Sequence, residues 1–124
     1  MPTRKVRIAV SVLGITLLVG GCGLGTEVLC TTEVVPSLRI EVVDSITGDP
    51  ITDSVVWVRD GAYQDTLPSF EGTAWGPDER PGTYEVHVEK ADYAQWIRSQ
   101  VRVTQGECHV ETRELVARLQ PAAN

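Results

Sequence analysis

The alternation of apolar and polar residues predicts β-strands along most of this chain. It is clearest in residues 81–93, where apolar and polar side chains follow one another with a period of two. The apolar set is Tyr84, Val86 and Val88, and the polar set is Glu85, His87 and Glu89. Successive side chains of a strand point to opposite faces of a sheet, so this pattern predicts one buried and one solvated face. On this interpretation His87 faces water.

Six further segments carry weaker versions of the same pattern. They are residues 38–42, 55–59, 62–67, 70–75, 95–103 and 108–119. Residues 70–75 are predicted to be an edge strand, and residues 76–81, rich in Gly and Pro, an exposed loop. Asp60 and Gly61 predict a hairpin turn, and Gly48 predicts a turn with positive φ. We therefore predict an all-β, Greek-key β-sandwich of about seven short antiparallel strands.

The last two segments make specific predictions about phase. In residues 95–103, the side chains of Ile97, Val101 and Val103 share one parity and are predicted to point inward together. In residues 108–119, the apolar phase slips from one parity to the other. A β-bulge near residues 112–114 would reconcile the two halves of that strand.

The first 22 residues have the pattern of an export signal. Three basic residues precede an apolar run over 8–19, and small residues end it at Cys22. This organisation is typical of a secretory signal peptide. The run Leu18-Val19-Gly20-Gly21-Cys22 resembles the lipobox of bacterial lipoproteins, with Cys22 as the acceptor of a lipid such as palmitate. The alternative is an ordinary signal peptide cut near Gly21, which would leave Cys22 as a free thiol.

These segments predict a simple domain organisation. Residues 1–21 are a lipoprotein signal peptide, 22–36 a lipidated tether and lead-in, 37–119 the β-domain and 120–124 a tail. The protein is then exported and anchored to the bacterial cell envelope, at the outer membrane if the organism has one.

The cysteine count supports this organisation. Three cysteines are an odd number for an exported chain. Lipidation of Cys22 leaves Cys30 and Cys108, which are predicted to form a disulfide in an oxidising compartment. Such a bond would link the two ends of the domain covalently.

The charge balance disfavours one class of partner. The chain has 11 basic and 17 acidic residues, and removal of Arg4, Lys5 and Arg7 with the signal leaves a net charge of −9. An acidic chain is a poor candidate for binding nucleic acid, or an anionic membrane surface through its own charge.

Several strand and turn motifs resemble those of a known family. They are Val42-Val43-Asp44, Thr47-Gly48-Asp49-Pro50-Ile51, Trp57-Val58-Arg59-Asp60-Gly61, Gly82-Thr83-Tyr84-Glu85-Val86 and Ala91-Asp92-Tyr93. Together they are similar to the carboxypeptidase regulatory-like domains, which have a transthyretin-like (prealbumin-like) sandwich related to the immunoglobulin-like folds. Asp92 stands where the family usually has Gly, and Asp tolerates left-handed backbone better than most residues. The resemblance covers residues 37–119 and implies a stand-alone, non-catalytic accessory module.

No catalytic constellation is visible in the sequence, and no cofactor is implied. A zinc site needs three or four ligands, whereas the chain has only two histidines, His87 and His109. Solvated histidines are the simpler interpretation. Three aspartates around one turn, Asp44, Asp49 and Asp53, could bind calcium, but Asp is also an ordinary turn residue.

The aromatic residues are the best candidates for ligand binding. Exposed aromatics mark binding surfaces, and we predict Tyr93, Trp75 and Trp96 as the binding residues. The hypothesis that results is a non-catalytic envelope lipoprotein whose β-sandwich binds an envelope protein or glycan, or supports envelope structure. The alternatives are a metal-dependent or small-ligand module that uses His87 and His109, and a dimeric transthyretin-like carrier. The oligomeric state stays open.

Overall fold

A computed structural model describes residues 29–123. The predicted signal peptide, Cys22 and residues 23–28 of the tether lie outside the described residues. The part that is described forms eight β-strands, and it contains no helix of the length and apolarity that a membrane crossing requires. The strands are β1 (Pro36–Asp44), β2 (Val55–Asp60), β3 (Tyr63–Leu67), β4 (Ser69–Phe70), β5 (Thr73–Asp78), β6 (Gly82–Glu89), β7 (Trp96–Val103) and β8 (Arg113–Leu119).

The strands form two four-stranded sheets, which confirms the predicted all-β sandwich. The first sheet has the order β4-β5-β1-β8 and the second the order β3-β2-β6-β7. Every pairing is antiparallel except that of β1 with β8, which is parallel. Since β8 follows a strand of the other sheet, no hairpin constrains its direction, and it runs alongside β1 in the same sense.

The alternating residues meet between the two sheets. The three apolar residues of β6 are fully buried, as the sequence pattern predicts. The interior is built from Leu38, Ile40, Val42, Ile51, Val56, Val58, Leu67, Ala74, Tyr84, Val86, Val88, Val101, Val103, Val110, Leu115, Ala117 and Leu119. Two apolar inner faces of this kind are what an aligned sandwich needs.

The predicted edge strand over residues 70–75 is wrong in one respect. A turn at Glu71-Gly72, with φ of +84° at Gly72, divides this stretch into β4 and β5. β4 is the edge strand, while β5 lies inside the sheet between β4 and β1. β5 also runs on through Gly76 and Pro77, which are buried. The first half of the predicted exposed loop over 76–81 is therefore strand.

A β-bulge overturns the predicted phase of β7. Tyr84 pairs with Val101 but Val86 pairs with Arg98, so one residue of β6 faces two of β7. The extra residue lies at Ser99-Gln100, and Gln100 has a φ of +59°. Val101 is buried as predicted, but Ile97 is turned outward and is 51% exposed. Trp96 takes the inward position instead and packs against the core.

The bulge predicted at residues 112–114 is absent. β8 begins only at Arg113, so residues 104–112 form a loop rather than the first half of a strand. Within that loop Gln105 and Val110 form an isolated bridge, which buries Val110. The two apolar phases of this segment therefore belong to two different elements.

The predicted disulfide between Cys30 and Cys108 is confirmed, with 5.1 Å between the two Cα atoms. It defines one end of the sandwich, here called the disulfide end, where β1 and β8 begin and β7 ends. The opposite end, the turn end, carries the connections from β1 to β2 and from β6 to β7.

Positive φ is found at both turn-end positions for which the sequence predicts it. Gly48 has a φ of +75°, and Asp92 adopts left-handed backbone with a φ of +68°. The C-terminal residues 120–122 are also held at this end. Gln120 C=O accepts from Ala94 N–H, and Ala122 N–H donates to Asp92 C=O, both at 2.8 Å.

Candidate functional site

The outer face of the second sheet carries an ordered group of polar and aromatic side chains centred on His87. Trp57 of β2 lies directly opposite His87 of β6 in the register. Their rings stack with centroids 3.7 Å apart and an interplanar angle of 10°. Cross-strand pairs of large side chains are a main source of sheet stabilisation. This pair covers His87, which is only 6% exposed.

Both nitrogens of His87 have partners within the protein. Nε2 lies 2.6 Å from Glu85 Oε1, and Nδ1 lies 3.3 Å from Gln95 Nε2. An amide nitrogen only donates, so Nδ1 is the acceptor and Nε2 carries the proton. The sequence-based expectation that His87 is solvated is therefore wrong, although its outward parity is right.

The network continues along the sheet from both partners of His87. Glu85 Oε1 also accepts from Arg59 Nη2 at 2.9 Å. The hydrogen bonds from His87 and then from Arg59 hold the pKa of the Glu85 carboxyl below its usual value. On the other side, Gln95 Nε2 donates to Glu89 Oε1 at 2.8 Å. These residues form a connected row that runs toward the turn end.

An open cleft begins where this row ends. It has a volume of about 440 Å³, and we call it the turn-end cleft. Its lining includes Asp53, Val55, Glu89, Lys90, Tyr93 and Gln95. Val55, at the start of β2, is 49% exposed and supplies apolar surface beside acidic, basic and amide groups. Such a mixed cleft can both bury apolar groups of a partner and hydrogen-bond to it.

The three aromatic residues predicted from the sequence are not brought together. Trp75 lies in β5 of the first sheet, opposite Arg39. Trp96 lies in the second sheet opposite Val88, whose side chain is inside the sandwich. Of the three, only Tyr93 lines the turn-end cleft. Ligand binding by these residues stays a prediction.

Tyr93 also fixes the turn that holds the candidate calcium ligands. Its hydroxyl donates to Asp44 Oδ2 at 2.7 Å, while Asp44 Oδ1 accepts from the N–H groups of Ile46 and Thr47 at 2.8 and 2.9 Å. The hydrogen bonds from Thr47, Tyr93 and Ile46 lower the pKa of Asp44. Asp44 is therefore committed to an Asx turn. Across residues 29–123, no group of three or more His, Cys, Asp or Glu side chains is placed to hold a metal ion.

His109 belongs to a separate cluster at the disulfide end. Its Nδ1 lies 2.5 Å from Glu79 Oε1, and its Nε2 lies 2.9 Å from Thr31 Oγ1. Glu79 also accepts from Val35 N–H at 2.9 Å and Val110 N–H at 3.2 Å. Burial raises the pKa of Glu79, but the hydrogen bonds from Val35, His109 and Val110 outweigh it and lower that pKa. This carboxylate ties the lead-in segment to the loop before β8.

A third cluster, centred on Arg80, was not visible in the sequence. The Arg80 guanidinium lies 3.7 Å over the ring of Tyr63, and its Nη1 donates to Asp60 Oδ2 at 3.0 Å and to the Tyr84 hydroxyl at 3.1 Å. The Tyr84 hydroxyl donates in turn to Arg80 C=O at 2.6 Å. A tyrosine that reaches back to the backbone a few residues upstream is a recurring feature of β-sandwiches. The cluster joins the ends of β2, β3 and β6.

No protein-family model matches the chain, and no curated protein is significantly similar to it. The functional interpretation therefore depends on the fold and on the contacts described above.

Proposed function

We propose that this protein is a lipid-anchored, non-catalytic module of the bacterial cell envelope that presents a binding surface away from the membrane. The signal-like N-terminus and the lipobox-like sequence ending at Cys22 support export and anchoring. The Cys30–Cys108 disulfide supports an oxidising compartment. The two-sheet sandwich and the positive φ at Asp92 are compatible with the proposed carboxypeptidase regulatory-like family.

The disulfide is the observation that carries the proposal. It fixes Cys30 to the disulfide end of the sandwich, and only seven residues separate Cys30 from Cys22. Eight residue steps of extended chain span at most about 28 Å. A lipid on Cys22 would therefore hold the disulfide end near the bilayer and direct the turn end outward. The turn-end cleft then faces the space in which an envelope partner would lie.

The cleft and the adjoining sheet face suit an envelope protein or glycan. The exposed Val55 and Ile97 and the half-buried Trp57 offer apolar contact, and Gln95 and Glu89 offer hydrogen bonds beside them. The row of bonds through His87 holds these polar groups in place before a partner arrives, and such preorganisation reduces the entropic cost of binding.

Photo-crosslinking at Val55 tests the binding surface. A photoreactive amino acid at Val55 in the full chain is expected to give a discrete adduct of higher mass in intact cells, because this residue borders the turn-end cleft. Val34 is a matched control, since it is 59% exposed but lies at the disulfide end. Digestion of the adduct by proteases or by glycan-degrading enzymes identifies the class of partner. No adduct at Val55, or the same adduct at Val34, would contradict the proposal.

Substitution of the proposed lipid acceptor tests the anchor. Cys22→Ala is expected to abolish incorporation of labelled palmitate and to release the protein from the membrane fraction. Thr32→Ala, an exposed substitution in the lead-in, should behave like the wild type. The measurement is metabolic labelling followed by fractionation of the envelope. Unchanged fractionation of Cys22→Ala would remove the anchor from the proposal while leaving the binding test intact.

The alternatives have less support from the geometry. A metal-dependent or small-ligand module built on His87 and His109 would need the two side chains to act together or with free partners. They lie in separate clusters, His87 bonded to Glu85 and Gln95, and His109 bonded to Glu79 and Thr31. A transthyretin-like carrier would require a channel between two subunits, and a monomeric mass in solution would exclude it.

A further inference from the structure

The four strands that end the two sheets differ in how well their free edges are protected. Exposed sheet edges present unpaired backbone groups to other strands, and proteins usually shorten, bulge or cover them. β4 has only two residues, and β3 has five residues followed directly by Pro68. β7 has eight residues but is broken by the bulge at Ser99-Gln100. These three edges carry recognisable protection.

β8 differs from the other three, since it is neither short nor bulged nor bounded by Pro. Its seven residues pair with β1 in an unbroken parallel register from Arg113 to Leu119, and the segment contains no Pro, Gly or bulge. In the described part of the chain no strand pairs with its other side. The nearest element of the second sheet is β7, where Arg102 C=O lies 3.5 Å from Arg113 Nη1, but β7 pairs only with β6. β8 therefore offers a long regular edge.

The outward-facing residues of β8 are self-complementary. Glu114, Val116 and Arg118 are all exposed, and they alternate with the buried residues Leu115, Ala117 and Leu119. If a second β8 ran antiparallel to the first with Val116 opposite Val116, each Glu114 would face an Arg118 of the other copy. Opposite charges directly across a strand pair are stabilising, whereas like charges are destabilising. An in-register parallel arrangement would place like charges together.

We propose that β8 pairs antiparallel with β8 of a second copy of this chain, about a two-fold axis at Val116. The pairing is isologous, so each subunit contributes the same strand and the interface closes at two subunits. The first sheets of the two subunits then join into one eight-stranded sheet. The inner-face pairing of Leu115 with Ala117 of the other copy extends the apolar surface across the junction, and the exposed Val116, at 44% exposure, is covered. Because β8 begins at the disulfide end, this pairing points the disulfide ends of the two subunits in opposite directions. A dimer with both lipids in one membrane therefore lies with its strands along the bilayer, and the outward orientation of the turn end applies to the single subunit.

Disulfide trapping tests this pairing directly. Val116→Cys in the full chain is expected to give a covalent dimer under mild oxidation in envelope fractions, because two cysteines opposite one another in antiparallel strands lie within bonding distance. Glu41→Cys is the matched control. Glu41 is exposed on the same face and pairs with Val116 in the register. It lies one strand further in, so the two copies of residue 41 would be about 14 Å apart, beyond the reach of a disulfide.

Charge reversal tests the register. Arg118→Glu on the Val116→Cys background puts like charges opposite one another twice per dimer and is expected to weaken dimerisation about tenfold. Adding Glu114→Arg should restore it, with only a small loss from the exposed pair between Arg39 Nη1 and Glu114 Oε1 at 3.2 Å. The parent chain, which keeps Val116, is the control for any dimer formed through Cys22.

Several outcomes would overturn the pairing. They are the absence of a 116–116 dimer in a protein that retains its Cys30–Cys108 bond, equal trapping by Glu41→Cys, and capture of a different protein in place of a second copy. Failure of the double charge reversal to restore dimerisation would overturn the register and with it the stated two-fold axis.

Discussion

Replacing both Cys30 and Cys108 with Ala is expected to lower the free energy of unfolding by about 2–5 kcal/mol. The two cysteines are separated by 78 residues, and chain-entropy reasoning for a loop of this size gives an upper value of about 4.5 kcal/mol. For a domain of this size, each 1 kcal/mol corresponds to a change in melting temperature of roughly 4–8 °C. Small exported domains depend on such bonds because their cores are limited. Urea unfolding of the wild type and the double variant measures the difference.

Reduction of the wild-type protein is the control for this prediction. It breaks the covalent bond, while the contacts of Glu79 still join the lead-in at Val35 to the loop at Val110 close to the same place. The wild-type protein treated with a reductant should lose as much stability as the double variant does. Thiol titration of the native protein should find neither Cys30 nor Cys108 free. Two titratable thiols would show that the bond is not formed, and a double variant as stable as the wild type would show that the bond does not stabilise the domain.

Much of the fold could be predicted from the sequence because each strand carries its own local pattern. The period of two in β6 identified the residues that this strand contributes to the core, and the positions of turn residues such as Gly48 marked where strands end. The disulfide was predicted from the number of cysteines together with the expectation of export. These features depend on a few neighbouring residues or on composition, so they require no knowledge of which strands pair.

The errors arose where the outcome depends on pairing between distant segments. A bulge changes the phase of a strand without a sequence signal, since the extra residue at Ser99-Gln100 is defined only relative to β6. The same holds for the edge position of β4 and the interior position of β5, which are properties of the sheet order. Ile97 and Trp96 therefore exchanged their predicted faces.

The candidate site was missed for a related reason. Parity correctly placed His87 on the outward face of its strand, but only the register shows that Trp57 lies directly opposite and stacks on it. The hydrogen bond from Gln95 comes from a residue outside any strand. A sequence pattern reports which face a side chain occupies, and burial on that face is decided by neighbours from other strands.

The Arg80 cluster leads to the second large expected effect. Tyr84 is fully buried, and its ring belongs to the core while its hydroxyl reaches the polar end of the sandwich. Tyr84→Ala removes the ring from between the sheets and is expected to cost about 3–5 kcal/mol, the range for loss of a buried aromatic side chain. This loss comes from apolar contacts and from the cavity that remains.

Tyr84→Phe separates the two contributions of the residue. It keeps the ring but deletes the hydroxyl, which leaves Arg80 Nη1 with Asp60 and leaves Arg80 C=O with the Ser37 hydroxyl at 2.8 Å. Because both groups keep one partner, the expected cost is only about 1 kcal/mol, the net value of an ordinary hydrogen bond. Chemical unfolding of the three proteins gives the two differences.

Tyr63→Phe is the matched control for the hydroxyl deletion. The Tyr63 ring also lies against Arg80, but its hydroxyl donates to Asp65 Oδ2 at 3.2 Å at a half-buried position, so its removal should cost less than removal of the Tyr84 hydroxyl. If Tyr84→Phe were as costly as Tyr84→Ala, the hydroxyl rather than the ring would dominate. If it cost nothing, the bond to Arg80 C=O would not stabilise the junction of β2, β3 and β6. The expected order therefore ranks core packing above the polar cluster as the source of stability at this end of the sandwich.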